Sequence, residues 1–167
     1  GWEAGVNLTT ANRCIIIGQN AAQATLTGDD NVIIGREAGY DLTSGGTNIG
    51  VGNYSLQNTT TGNANVAIGM EALQANTTAD ANTAVGYKAL EANTNGAMNT
   101  ALGWSALLVS NGDHNTALGH SALLANTTGD NNLAVGRDTL TANTSGSRNT
   151  ALGRGALAAN TTVSNNT

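Results

Sequence analysis

The acidic residues are the first candidates for chemistry, since carboxylates serve as general acids, general bases and ligands of hard cations. Most of them are scattered, but Asp29, Asp30, Asp80, Asp113 and Asp130 recur at one place in the repeat, in the turn before the apolar run. This pattern predicts turn capping and solvation. The alternative is calcium shared between carboxylates of neighbouring repeats, although the sequence contains no calcium-binding nonapeptide.

The two histidines and the single cysteine form no evident catalytic or metal-binding set. His114 and His120 lack the spacing of a zinc pair, and no motif marks a nucleophilic serine. One cysteine rules out an intrachain disulfide, and we expect Cys14 to be a small buried side chain. The sequence therefore predicts a protein that is not an enzyme, and we expect no cofactor and no metal.

A short repeat runs through the whole chain and must position any side chain that acts. Its clearest copies, at residues 99–103, 115–119 and 149–153, read Asn-Thr-Ala-Leu-Gly. The closing glycine recurs every 17 residues, apart from one step of 16 between Gly103 and Gly119. Repeats of a strand and a helix need about 20 to 29 residues, so this period favours two or three short strands joined by turns. We therefore expect each repeat to form one coil of a solenoid.

The predicted fold class is all-β, a parallel β-solenoid of about ten coils, and residues 1–167 are expected to be one segment of a longer protein. Strands stacked at ~4.8 Å would make a rod roughly 45 Å long. Where the residue two before the glycine is large, as at Ile33, the residue four after it is small, as at Gly39. Because close packing conserves volume, these two positions are predicted to share the interior.

The residue immediately before each repeat glycine is always aliphatic, and we call these residues the pre-glycine column. Their side chains point to one face of the strand, and the residues two before the glycine point to the opposite face. Both faces are therefore apolar, and both are predicted to be buried. One thin coil covers only one face, and identical chains could cover the other, most simply as a parallel homotrimer. The predicted core and interface residues are Ile17, Ile34, Val51, Ile68, Val85, Leu102, Leu118, Val135 and Leu152, with Leu73, Leu90, Leu107 and Leu123 four residues after the glycine.

Two polar columns also follow from the period. Asparagines four residues before the glycine, called the Asn column, are predicted to bond from coil to coil near a bend. Threonines eight residues after the glycine, called the Thr file, suggest an alternative function, an ice-binding solenoid with a Thr-rich face, although the file is broken at Leu26 and in the short repeat. The Asn column is Asn31, Asn48, Asn65, Asn82, Asn99, Asn115, Asn132 and Asn149, and the Thr file is Thr43, Thr60, Thr77, Thr94, Thr127, Thr144 and Thr161.

Charge and hydropathy exclude two classes of partner. The net charge is -5 and no basic stripe exists, which argues against nucleic acid. No run of about 18 apolar residues occurs, so direct insertion into a membrane is not expected.

Residues 82–90 read Asn-Thr-Ala-Val-Gly-Tyr-Lys-Ala-Leu, which resembles the repeat arrays of bacteriophage tail fibres. The repeat is also similar to that in the heads of trimeric autotransporter adhesins, which form a left-handed parallel β-roll from shorter coils. The resemblance extends over essentially all 167 residues. It implies a homotrimeric fibre segment, extracellular, on a virion or a bacterial surface, that projects or forms a receptor-binding surface.

The residues one and two after each glycine vary most, and we call those immediately after it the post-glycine column. Tyr87, Trp104 and His120 occupy it in three consecutive coils, at a predicted spacing of ~4.8 Å. An exposed ladder of rings would offer sugar faces an apolar platform, with Lys88 placed to bond hydroxyls or carboxylates of a cell-surface glycan or host receptor. Alternatively, the rings fill the groove between neighbouring chains. The sequence leaves both interpretations open.

Overall fold

The computed structural model describes residues 1–167 and confirms the predicted parallel β-solenoid. Nine strands of three residues pair in chain order in one parallel sheet. Each strand pairs in register with the next, as Ala84 does with Ala101. The strands are β1 Ile15–Ile17, β2 Val32–Ile34, β3 Ile49–Val51, β4 Val66–Ile68, β5 Thr83–Val85, β6 Thr100–Leu102, β7 Thr116–Leu118, β8 Leu133–Val135 and β9 Thr150–Leu152.

The solenoid makes about eight turns rather than the ten expected. The difference arises at the ends, because residues 1–14 and 153–167 form turns and bends that contribute no strand. Eight steps between strands at ~4.8 Å give a sheet roughly 38 Å long, shorter than the expected rod.

Each coil contains one strand, and the expectation of two or three was wrong. The reason is the backbone, which enters the left-handed region several times per coil. After β4, φ is 133° at Gly69, 59° at Glu71, 52° at Leu73 and 59° at Ala81. Such residues bend the chain out of a strand. Of 101 backbone hydrogen bonds only 16 lie within the strands, so neighbouring coils are joined mainly through their turns.

The repeat glycine is required by a close approach between coils as well as by its positive φ. A Cβ atom placed on Gly69 would lie 2.5 Å from the carbonyl oxygen of Gly86, the equivalent glycine of the next coil. No larger residue fits at that distance. This explains why the glycine persists through the array while its neighbours vary.

The core is built mainly from the middle strand residues and the residues three and four after the glycine, with Leu26 and Leu42 beside them. A Cβ on Gly39 would lie 3.2 Å from Ile33 Cδ1, and a Cβ on Gly50 would lie 3.2 Å from Leu56 Cδ1. Large and small residues therefore fill one shared space, as the sequence predicted. The fully buried leucines of this core include Leu56, Leu73, Leu90, Leu107, Leu123 and Leu140.

The pre-glycine column lies on the other face of the sheet, away from the core. We call the side chains one and three before the glycine the outward face. Within one chain this face is uncovered, and Leu102 is 45% exposed while Ala101 beside it is fully buried. The coil core and the outward face, which the sequence did not distinguish, are thus assigned. Exposed members of the pre-glycine column are Ile17, Ile68, Leu102, Leu118 and Leu152; Ile34, Val51, Val85 and Val135 are half-buried.

Candidate functional site

The Asn column is buried and bonds to the backbone of the next coil. The Asn48 side-chain oxygen accepts a hydrogen bond from the Asn65 backbone N–H at 2.9 Å, and its Nδ2 donates to the Gly62 carbonyl at 2.9 Å. The same pair of bonds recurs along the column, for example at Asn82. The structure therefore places these asparagines inside the coil, where they satisfy polar backbone groups that the left-handed bend leaves without a strand partner.

A second amide column lies seven residues after the glycine, and its role was not predicted from the sequence. Asn143 Nδ2 donates to Asn126 Oδ1 at 2.8 Å and to the Gly146 carbonyl at 2.9 Å. Asn76 and Asn93 are buried at the equivalent place. Its signal in the sequence is the asparagine that opens Asn-Thr-Thr-Gly at residues 126–129 and the variants of this turn in other repeats.

The recurrent aspartates bond to the turn of the preceding coil. The Asp80 carboxylate accepts the Asn63 backbone N–H at 2.6 Å, and Asp130 accepts the Asp113 N–H at 2.8 Å. Nowhere in the chain do three or more His, Cys, Asp or Glu side chains come close enough to hold a metal ion. These carboxylates therefore act in this structure as acceptors for turn amides.

Arg13 and Asp30 form the best-aligned ion pair near the start of the solenoid. The guanidinium Nε donates to the Asp30 carboxylate at 2.6 Å, and both side chains are largely exposed. The hydrogen bond from Arg13 lowers the pKa of Asp30, and the same contact raises the pKa of Arg13. In solvent such a pair contributes little to stability.

The hydroxyl groups of the Thr file point along the rod. Thr60 Oγ1 donates to the Thr77 carbonyl at 3.1 Å, and Thr127 Oγ1 donates to the Thr144 carbonyl at 2.9 Å. The file is interrupted at Leu26, which turns into the core, and the adjacent Thr27 donates to the Thr43 carbonyl at 3.2 Å. The file thus joins successive coils.

Cys14 stands in the first coil at the place that asparagine takes later. It is half-buried rather than buried, because no complete coil covers it on the N-terminal side. Its thiol lies 3.4 Å from the Asn12 carbonyl and 3.6 Å from the Gly28 carbonyl. These are weak contacts compared with those of an amide.

The three rings of the post-glycine column do come together, but they are not stacked face to face. Tyr87 and Trp104 have ring centroids 5.7 Å apart at 84°, and Trp104 and His120 have centroids 5.4 Å apart at 66°. Edge-to-face contact matches the charge distribution of aromatic rings. Tyr87 and Trp104 form a corner that lines an open surface depression of about 320 Å³.

Lys88 is already held by carboxylates. Its Nζ lies 3.0 Å from Glu71 and 2.9 Å from Glu91, and 5.6 Å from the Tyr87 ring centroid. The hydrogen bonds that the Lys88 ammonium donates to Glu91 and Glu71 raise its pKa. A ligand carboxylate would have to compete with both glutamates, which argues against the expected role of Lys88 in binding acids.

Comparison of the chain with known protein families, with curated proteins and with solved structures gives no match in any of the three. The resemblance to tail fibres and adhesin heads therefore stays a prediction from the sequence. The chain also has no helix with the length and apolarity needed to cross a membrane.

Proposed function

We propose that this chain is a structural segment of an extracellular fibre, a phage tail fibre or a bacterial surface adhesin. In this proposal three copies associate in parallel, and the rod projects or forms a receptor-binding surface. The proposal assigns the chain no catalytic role, no cofactor and no nucleic-acid partner.

The observation that best supports the proposal is the uncovered outward face of the sheet. Ile17 is 54% exposed and Leu102 45% exposed, and the face continues through all nine strands. Nine strands of three residues span roughly 40 by 10 Å, or about 400 Å². The pre-glycine column of this face is aliphatic throughout, and in the other column Thr83, Thr100, Thr116 and Thr150 stand among aliphatic residues. Exposed, largely aliphatic patches of this size are often functional.

A second copy fits this face better than an unrelated partner does. The face repeats every coil, so a parallel copy in register presents the same residue types along the whole length. A rotational arrangement closes and leaves no apolar face free, whereas an open arrangement would continue to aggregate. Three rods around an axis are the closed arrangement that the resemblance also implies.

The Thr file does not favour the alternative ice-binding function. Its hydroxyl hydrogens are directed to carbonyl groups of the next coil, as at Thr60 and Thr127. The side chains are therefore explained as links between coils, and no further observation points to ice. Thermal hysteresis with faceted ice crystals would overturn this assignment.

Leu102→Asp tests the proposal. The wild-type chain of 16.7 kDa should sediment at three times that mass, and the variant should sediment as a monomer. The reason is that an aspartate on the outward face would be buried unpaired between chains, whereas in one chain it remains in solvent. Circular dichroism should therefore stay that of the folded solenoid.

Thr78→Asp is the matched control, since it places the same charge on an exposed turn away from the sheet. It should leave the mass of the assembly unchanged. A wild-type chain that is monomeric at micromolar concentration, or a Leu102→Asp variant that remains a folded trimer, would refute the proposed interface.

A further inference from the structure

We propose that the corner formed by Tyr87 and Trp104, with His120 behind it, binds one ring of an uncharged pyranose saccharide. The inference rests on the proposed receptor-binding function and names the ligand class and the site.

The corner is a shallow depression open to solvent, and two aromatic rings line it. Its volume of about 320 Å³ has room for a single ring of a longer glycan lying against the surface. Trp104 is 57% exposed although it contacts a ring on each side along the rod. The large apolar surface is therefore held in place and still open to solvent.

The perpendicular rings provide two different contacts for a flat, partly apolar ligand. A pyranose has C–H bonds on its faces, and their weak positive charge is attracted to the negative face of an aromatic ring. One ring of the corner can lie against the face of the sugar while the other contacts its edge. The hydroxyl groups around the sugar then remain directed towards water and the neighbouring polar side chains.

The charges around the corner select against acidic sugars. Lys88 is paired with Glu71 and Glu91, and Arg137 is paired with Asp138 at 3.0 Å. These three carboxylates and two cations leave one net negative charge beside the rings. Because the chain as a whole carries a charge of -5, a sialic acid or a uronic acid would be repelled on approach and at the site.

The test is binding of the purified chain to a glycan array with uncharged hexose and N-acetylhexosamine oligosaccharides beside sialylated and uronate-containing ones. We expect binding to the uncharged group only. Trp104→Ala and Tyr87→Ala should each weaken that binding about tenfold or more, which corresponds to the loss of one aromatic contact. Glu71→Gln with Glu91→Gln should instead admit acidic glycans.

Trp2→Ala is the matched control. Trp2 belongs to the same post-glycine column and is 74% exposed, but its neighbour in the next coil is Gln19 and not a ring. This variant should bind like the wild type. Equal losses in Trp2→Ala and Trp104→Ala would show nonspecific adhesion and overturn the proposal.

The mass of each variant separates this inference from the fibre proposal. A Trp104→Ala chain that loses the trimer would show that the rings fill the groove between chains, and the sugar site would be refuted. A wild-type trimer that binds no uncharged glycan would refute the site and leave the fibre. A monomeric wild type whose glycan binding is lost in Trp104→Ala would refute the fibre proposal and leave the sugar site.

Discussion

Replacing Cys14 by asparagine should stabilise the first complete coil. Each later asparagine of the column accepts the backbone N–H of its successor, as Asn31 does for Asn48 at 2.9 Å. Asn31 itself has no acceptor for its own backbone N–H, because Cys14 occupies the place of the preceding asparagine. The thiol is also 3.6 Å from the Gly28 carbonyl, where an amide would reach about 2.9 Å, the distance from Asn48 Nδ2 to the Gly62 carbonyl.

The magnitude follows from two added hydrogen bonds. A net gain of about 0.5 to 1.5 kcal/mol for each bond gives about 1 to 3 kcal/mol in the free energy of unfolding. Since Cys14 is only half-buried, we expect the lower end, near 1 kcal/mol. The Ala79 carbonyl, at the equivalent position of a later coil, accepts hydrogen bonds from both Asn65 and Asn76. The Gly28 carbonyl can therefore accept a second amide donor in the same way.

The assay is thermal unfolding together with hydrogen exchange at the Asn31 backbone amide. For a chain of this length 1 kcal/mol corresponds to a rise in Tm of about 2 to 4 °C. Exchange at Asn31 should slow in Cys14→Asn but not in Cys14→Ala, which removes the thiol and adds no amide. If the asparagine variant melts at or below the wild-type temperature, or if Asn31 exchanges at the wild-type rate, the bonding pattern assigned to the column is refuted.

Asn99→Ala should lower the free energy of unfolding by about 2 to 6 kcal/mol, because the Asn115 N–H and the Gly112 carbonyl would lose buried partners. Urea unfolding measures this, and Asn58→Ala, at an exposed asparagine without side-chain bonds, should change little. The second expectation concerns pH. Arg13 lowers the pKa of Asp30. The small stabilisation from this ion pair is therefore present above the ordinary aspartate pKa and is lost as the pH falls through the lowered pKa of the folded state. The NMR titration midpoint of Asp30 should therefore rise in Arg13→Ala, and an unchanged midpoint would contradict the ion pair.

The period and the volumes of the side chains were sufficient to predict the solenoid and its interior. Gly39 opposite Ile33, and Leu56 opposite Gly50, already showed in the sequence which residues share the core. The number of strands per coil could not be predicted in the same way. Leu73 and Lys88 have positive φ at 52° and 57°, which their residue types do not suggest. Bonds to the adjacent coils hold them there against their local preference.

The candidate site was predicted in composition but not in geometry. The period places Tyr87, Trp104 and His120 in one column, and the structure shows them in contact. Spacing alone cannot give the angle between rings, since side-chain rotation is free of the backbone repeat. For the same reason the sequence could not show that Glu71 and Glu91 both bind Lys88.

The post-glycine column is the place where binding chemistry can change with the least effect on the fold. Inside each coil the amides and the leucines are committed to neighbouring coils, and the outward face is the surface that we assign to other chains. In a repeat array, stability is close to a sum over coils and their nearest neighbours. A substitution at Trp104 is therefore expected to affect mainly its own coil and the neighbouring coils of Tyr87 and His120. The diversity of this column, which includes Met70 and Arg137, agrees with a surface whose specificity can differ from coil to coil while the solenoid beneath it stays the same.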